Sequence, residues 1–254
     1  MLDITTYDFG YPLYVTSAPL LPLALFGALT ALAVCLQWPR WVAAISGALA
    51  LWALAALAIT FTMFRLHLPL EPPTDRFLAS GRGRVLDAGA GSGRAALGVL
   101  ASRPQTTVTA LDIYDGFYGI VDNTPARFLA NAAAGGFSTR ADVRTGDVRE
   151  MPFGDGEFDA VASSFAIDHL KRDTIPTAIA EVARVLRPHG EFLLMIVNVD
   201  WLTLLVSPHA IHHHPAANAQ RWREMLDEGG FALVEDGRRP AMRYFLATKR
   251  VDGS

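Results

Sequence analysis

Apolar and polar residues are distributed in two different ways along this chain. From Pro19 to Trp38 (PLLPLALFGALTALAVCLQW) and from Trp41 to Phe64 (WVAAISGALALWALAALAITFTMF) no position is charged, and neither segment carries a polar stripe of helical period. Each is about 20 residues or longer, enough at ~1.5 Å per residue to cross a hydrocarbon layer of ~30 Å. Only Pro39-Arg40 separates them, between Trp38 and Trp41, residues that favour the headgroup boundary. The pattern predicts a two-helix transmembrane hairpin over about 19–38 and 41–64, with Gly27, Ala28, Ala31, Gly47, Ala48 and Ala55 small enough for close helix approach. A signal peptide fits poorly, because Asp3 and Asp8 precede the apolar run without any Lys or Arg and a second span follows. A buried hairpin inside a soluble protein is the competing reading.

After a Pro-rich linker over 66–74, residues 75–254 alternate short apolar runs with amphipathic stretches. Strands are expected at Arg84–Asp87, Thr107–Asp112, Asp142–Asp147, Phe158–Ser163 and Glu191–Val197, with a terminal pair at Phe231–Glu235 and Tyr244–Thr248. Helices are expected at Arg94–Ala101, Pro125–Ala134, Thr174–Leu186 and Gln220–Glu228, the third stopped by Arg187-Pro188-His189-Gly190. This alternation predicts an α/β fold with a doubly wound, mostly parallel sheet that binds ligands at the strand C-termini.

Composition sharpens the division. The 254 residues carry 22 basic and 25 acidic side chains, yet only Asp3, Asp8 and Arg40 are charged before Arg65. A net charge of −3 gives no basic field for nucleic acid, and the single Cys, Cys35, excludes an internal disulfide framework. Arg40 stands alone on one side of the hairpin, and Arg65, Arg76, Arg82 and Arg84 follow on the other. The positive-inside rule then places both the N-terminus and the large C-terminal domain in the cytoplasm.

The local chemistry concentrates in Val85-Leu86-Asp87-Ala88-Gly89-Ala90-Gly91-Ser92-Gly93-Arg94, a glycine-rich turn between a strand and a helix. Its G-x-G-x-G spacing differs from the G-x-G-x-x-G that cradles a dinucleotide pyrophosphate, and the preceding acid suits a cationic ligand. Asp112, ending the next strand, is placed to accept from ribose hydroxyls, as an NAD-binding acid also would be.

VLDAGAGSGR, TALDIY, GDVREMPFGDGEFDAVASSFAIDHL and IAEVARVLRPHGEFLLM, in that order, resemble the motif series of class I S-adenosylmethionine-dependent methyltransferases, nearest the ubiquinone/menaquinone-biosynthesis C-methyltransferases. The resemblance runs from about Arg84 to Met195 and implies a Rossmann-like, seven-stranded sheet with S-adenosylmethionine as cofactor. It implies that Gly89, Gly91 and Gly93 admit the cofactor and that Asp87 orients its amino-acid end. Asp112 would hold the ribose, Ile113 the adenine face, Asp147 and Val148 the adenine amino edge, and Ser163 with Ser164 the methyl-transfer face. Where the family often has Cys and Thr between its glycines, Ala90 and Ser92 stand here. A non-catalytic scaffold and an NAD(P)-dependent oxidoreductase are the rival readings.

The acceptor side has no fixed signature. His169 is a candidate general base or a packing residue. His209, His212, His213 and His214 lie between Pro208 and Pro215; if the segment is helical, His209, His212 and His213 share one face as a candidate metal set, and otherwise it is a loop or a lid. Trp201–Val206 (WLTLLV), too short to span, is expected as an apolar lid dipping toward the membrane interface, or as core. Tyr114, Phe117 and Tyr118 are further candidates for the pocket wall. The acceptor expected from this organisation is small or lipophilic.

Overall fold

The structure is a computed structural model and describes residues 7–12, 17–115, 119–206 and 218–251. Phe117, Tyr118 and the histidines at 209, 212, 213 and 214 lie outside the described residues.

Two helices come first, α1 (Leu20–Cys35) and α2 (Arg40–Ile59), the latter continued by a π-helical turn at Thr60–Phe64. They pack on each other as a hairpin. The contact face matches the expected one at Gly47, where a Cβ would lie 3.7 Å from the Thr30 side chain, and differs elsewhere. Ala33, Ser46, Ala53 and Ala56 are buried in it, and the Thr30 hydroxyl donates to Ser46 Oγ at 2.9 Å. Ala28, Ala31, Ala48 and Ala55 face outward, and open space surrounds Gly27. The first helix also stops three residues early. Pro39 disfavours helical backbone at Trp38, and Gln37 turns left-handed at φ 55°. Sixteen residues remain, ~24 Å of helix, so among the described residues only Arg40–Phe64 is by itself long and apolar enough to cross a membrane.

The remaining elements are β1 (Arg82–Ala88), α3 (Arg94–Ser102), β2 (Gln105–Asp112), α4 (Pro125–Ala134), β3 (Ala141–Thr145), β4 (Phe158–Ser164), α5 (Ile175–Val185), β5 (Leu186–Val197), α6 (Trp201–Val206), α7 (Ala219–Glu228), β6 (Phe231–Arg239) and β7 (Met242–Lys249). They build one seven-stranded sheet in the order β3-β2-β1-β4-β5-β7-β6, with β7 antiparallel to both its neighbours and the other pairs parallel. The expected doubly wound sheet and its terminal antiparallel pair are therefore present.

Strand residues alternate between two cores, as a period of two requires. On β5, Phe192, Leu194 and Ile196 meet α5 and α7 through Ile179, Val182, Trp222 and Leu226. Leu193 and Met195 face the opposite side, where Leu97 of α3 and Phe128 of α4 pack with Phe9 and Phe77. The Arg187–Gly190 stretch does end α5, but its residues belong to a bulged start of β5. Phe158 pairs with Leu186 and Ala160 with Glu191, so the intervening residues loop out, with His189 at φ 59°.

The linker opens with a turn, in which Leu68 N–H donates to the Arg65 carbonyl at 2.9 Å, and it is not a free tether. Leu70 N–H donates to the Arg94 carbonyl at 2.8 Å, and the linker lies so close to α3 that a Cβ at Gly98 would sit 1.9 Å from Leu70 O. Residues 7–12, before the hairpin, also return to the domain. Asp8 N–H donates to Asn131 Oδ1 at 2.8 Å, Asn131 Nδ2 donates back to the Asp8 carbonyl, and Ser92 Oγ donates to the Phe9 carbonyl at 2.8 Å. Both ends of the hairpin are thus fastened to the same domain.

Candidate active site

The strand order reverses between β1 and β4, and open α/β sheets bind ligands beside the strand C-termini at such a switch point. The loop after β1 is Gly89–Gly93. It is pinned to β2 by the Gly89 and Ala90 N–H groups, which both donate to the Leu111 carbonyl, at 2.8 and 3.0 Å. Gly89 has φ 80°, and a Cβ there would lie 2.2 Å from the Ala166 side chain in the loop after β4. Gly93 has φ 92°, opens α3, and leaves its space to the Phe128 ring. Neither position tolerates a side chain.

Asp112 closes the other wall. Its Oδ2 accepts from the Gly91 N–H at 2.8 Å, and its Oδ1 accepts from the Tyr114 N–H at 2.7 Å and Asn123 Nδ2 at 3.2 Å. The carboxylate is therefore held in one orientation with acceptor capacity remaining. Asn123, which the sequence analysis did not single out, lines the same cavity, and its buried Oδ1 has no hydrogen-bond partner. The only sequence signal near it is the helix start that follows, where Thr124 caps α4 and Pro125 takes its first position.

Asp87 sits beneath the loop rather than in the cavity wall, 1% exposed. Its Oδ2 accepts from the Ala96 N–H at 2.9 Å, tying β1 to α3, while Oδ1 has no partner. Burial pushes its pKa up to about 7, the Ala96 hydrogen bond opposes this, and the nearby Asp112 charge adds to it. Burial likewise raises the Tyr114 phenol, whose hydroxyl is buried without a partner close to both acids.

One cavity of 1280 Å³ runs along this edge. Gly89, Gly91, Asp112, Ile113, Asp147 and Val148 line its inner part. His169, at the end of a 3-10 turn over Ile167–His169, lines it from the β4 side with Ser164. Ser163 does not reach it. Its side chain is buried and donates to the Ala88 carbonyl at 2.8 Å, holding β4 against the end of β1. The Asp147 carboxylate is engaged by Arg149 at 2.9 and 3.0 Å, and that pairing lowers its pKa. Among the described residues no group of three or more His, Cys, Asp or Glu could hold a metal ion.

Residues 85–190 match the family model described as "Methyltransferase domain". Over 113 residues the chain is 36% identical to the ubiquinone/menaquinone biosynthesis C-methyltransferase UbiE of Methylobacterium nodulans, covering 44% of this chain and 41% of that protein. It thus spans about two-fifths of the length of that relative. Among solved structures, a SAM-dependent methyltransferase from Methanosarcina mazei superposes with a TM-score of 0.56 at 19% identity, over 73% of this chain and all of the other. The Burkholderia thailandensis 1,6-didemethyltoxoflavin-N1-methyltransferase, solved with S-adenosylhomocysteine, superposes with a TM-score of 0.51 at 24% identity, over 68% and 74%.

Residues 85–190 are thus similar to a methyltransferase domain, and the Methanosarcina mazei neighbour in fold is a protein dependent on S-adenosylmethionine. The residues present suit that molecule. Gly89 and Gly91 bring bare backbone to the cavity wall, and Asp87 Oδ1 and Asn123 Oδ1 are orphaned acceptors beside it. Two carboxylates under and beside the loop favour a ligand carrying positive charge.

Proposed function

We propose that the chain is a membrane-anchored methyltransferase that moves a methyl group from S-adenosylmethionine to a small or lipophilic acceptor. The observation that carries the reading is the glycine turn locked against Asp112 at the switch point of the sheet, within one cavity that also holds His169. Bound there, the cofactor supplies an electrophilic methyl on a sulfonium sulfur.

The chain's own residues do the rest. Asp112 accepts from the ribose hydroxyls, Ile113 packs on the adenine, and Asp147 with the Val148 N–H meets its amino edge. Gly89 and Gly91 let the backbone approach the ligand, while Gly93 packs on Phe128 at the start of α3. Asp87 acts from below, positioning the turn through Ala96 and offering negative charge to a cation above it. His169 stands at the mouth on the acceptor side, where it can take the proton released by an attacking group or simply form the wall. In-line displacement depends mostly on alignment and exclusion of water, so a base is not obligatory.

The anchor rests on the hairpin's outward surface. Leu21 is 78% exposed, and Leu25, Val34, Trp41 and Leu51 are exposed with it. So much bare apolar surface on a helix pair favours a lipid environment over water. Both ends of the hairpin are fastened to one domain, so any insertion must enter and leave from the same face. That geometry supports an even number of crossings, with the shorter α1 completing the pair begun by α2. Arg40 at the tip and Arg65 at the base keep the orientation with N-terminus and domain cytoplasmic.

Isothermal titration of the detergent-solubilised protein with S-adenosylmethionine and S-adenosylhomocysteine, beside Asp112→Ala, tests the reading. Micromolar binding that the variant loses is expected. A folded wild-type sample that binds neither ligand overturns it in favour of a scaffold.

A further inference from the structure

The expected lid, Trp201–Val206, is a fixed helix with two different faces. Asp200 caps the start of α6, accepting from the Thr203 N–H at 2.8 Å and from its hydroxyl at 2.8 Å. At the other end Trp52, in the middle of α2, donates from Nε1 to the Leu205 carbonyl at 3.2 Å, satisfying a helix-end acceptor. Thr203 and Val206 turn inward and are buried, while Trp201 is 75% exposed and Leu205 is exposed beside it. Trp52 lies ~18 Å along the helix from Phe64, so the bond holds α6 well up the side of the hairpin. The outer face of α6 is therefore continuous with the apolar surface of α2.

The same helix bounds the cavity. Thr203 and Val206 are among its lining residues, together with Thr60, Met63 and Phe64 at the base of α2. We infer that α6 is a second membrane-contacting element, with Trp201 and Leu205 laid into the acyl chains beside the hairpin, so that the cavity mouth between α6 and Met63 opens on lipid rather than water. The inference rests on the proposed anchor and narrows its acceptor to an amphiphile dissolved in the bilayer, its apolar part in this gap and its polar end toward His169. The occupant of the outer face is the acyl layer itself, because α6 adds to a surface already turned that way.

Spin labels on single cysteines in a Cys35→Ser background test it, with the full chain in vesicles of phosphatidylcholine and phosphatidylglycerol. Oxygen relaxes labels in lipid, and a water-soluble nickel chelate relaxes those in water. Leu51→Cys reports the hairpin, Trp201→Cys and Leu205→Cys report α6, and Met63→Cys reports the mouth; binding of S-adenosylhomocysteine confirms that each variant is folded. The expected result is relaxation by oxygen over nickel at all four sites. Nickel access at positions 201 and 205 with lipid contact at 51 overturns the inference and leaves the anchor standing. Nickel access at 63 alone overturns the lipid-facing mouth. Nickel access at 51 removes the anchor and the inference together.

Discussion

Arg94 closes the glycine turn and donates from Nη2 to the Phe64 carbonyl at 2.7 Å, joining the cofactor loop to the last turn of the hairpin. The same guanidinium donates from Nε to the Leu68 carbonyl at 2.8 Å. Burial lowers its pKa, but a guanidinium stays charged, and these carbonyls face its charge. Removing it leaves several backbone acceptors without their donor. Arg94→Ala is expected to cost about 2–4 kcal/mol, a fall in Tm of roughly 5–15 °C, as charged hydrogen bonds are worth about 1.5–3 kcal/mol each. Arg94→Lys should recover only part of it, because a point charge cannot serve the same fork of acceptors. Thermal unfolding in detergent checks both.

Gly98→Val should loosen the linker, whose residues from Leu66 to Pro73 also line the cavity. A Cβ there meets Leu70 O at 1.9 Å, so either the linker lifts or α3 shifts. Limited proteolysis is expected to cut within 66–74 in the variant and to spare the wild type. Equal resistance in both would show that the backbone absorbs the side chain.

Asp87 links pH to stability and to ligand binding. Its folded pKa, about 7, lies above the ordinary carboxylate value, so the folded state holds the proton more tightly. The resulting stabilisation is complete below about pH 4 and is lost as pH rises through about 7. A cation bound above Asp87 favours the ionised form, so affinity for S-adenosylmethionine should increase between pH 6 and 8, roughly by a factor of ten or less. Asp87→Asn should flatten both curves and raise Tm at pH 8. Calorimetry at several pH values reads both effects.

Ser163→Ala separates a structural serine from a ligand. Its hydroxyl is spent on the Ala88 carbonyl inside the core. The expected loss is about 1 kcal/mol of stability with the cofactor Kd unchanged. A tenfold weaker Kd at unchanged Tm would instead give Ser163 direct contact with the ligand.

Cys35, the only cysteine, ends α1 near the hairpin tip and is exposed. In a two-crossing arrangement a membrane-impermeant maleimide should label it from the face opposite the catalytic domain. Labelling from the domain's own face would mean that the hairpin does not cross.

The sheet and the inner site were legible because their signals are local. The unbroken apolar run Phe192–Ile196 announces a strand buried on both faces, and Asp87 next to the end of β1 and Asp112 at the end of β2 flank the glycine turn. The rest depends on contacts distant in sequence. Nothing around Ser92 announces that its hydroxyl meets Phe9, or that Ser163 points into the core rather than the crevice. The hairpin face was misread because composition locates small residues without fixing helix rotation. Thr30 and Ser46 set that rotation by bonding to each other.

The clasp of residues 7–12 also constrains the order in which the chain assembles. Asp8 waits for Asn131 and Arg127, more than a hundred residues downstream, before it can dock. During synthesis the hairpin leaves the ribosome long before those partners exist. It must find its environment while its first flank is still loose, and only the finished domain draws that flank in. A stretch of six residues thus closes the chain back on a domain whose docking groups are made more than a hundred residues later.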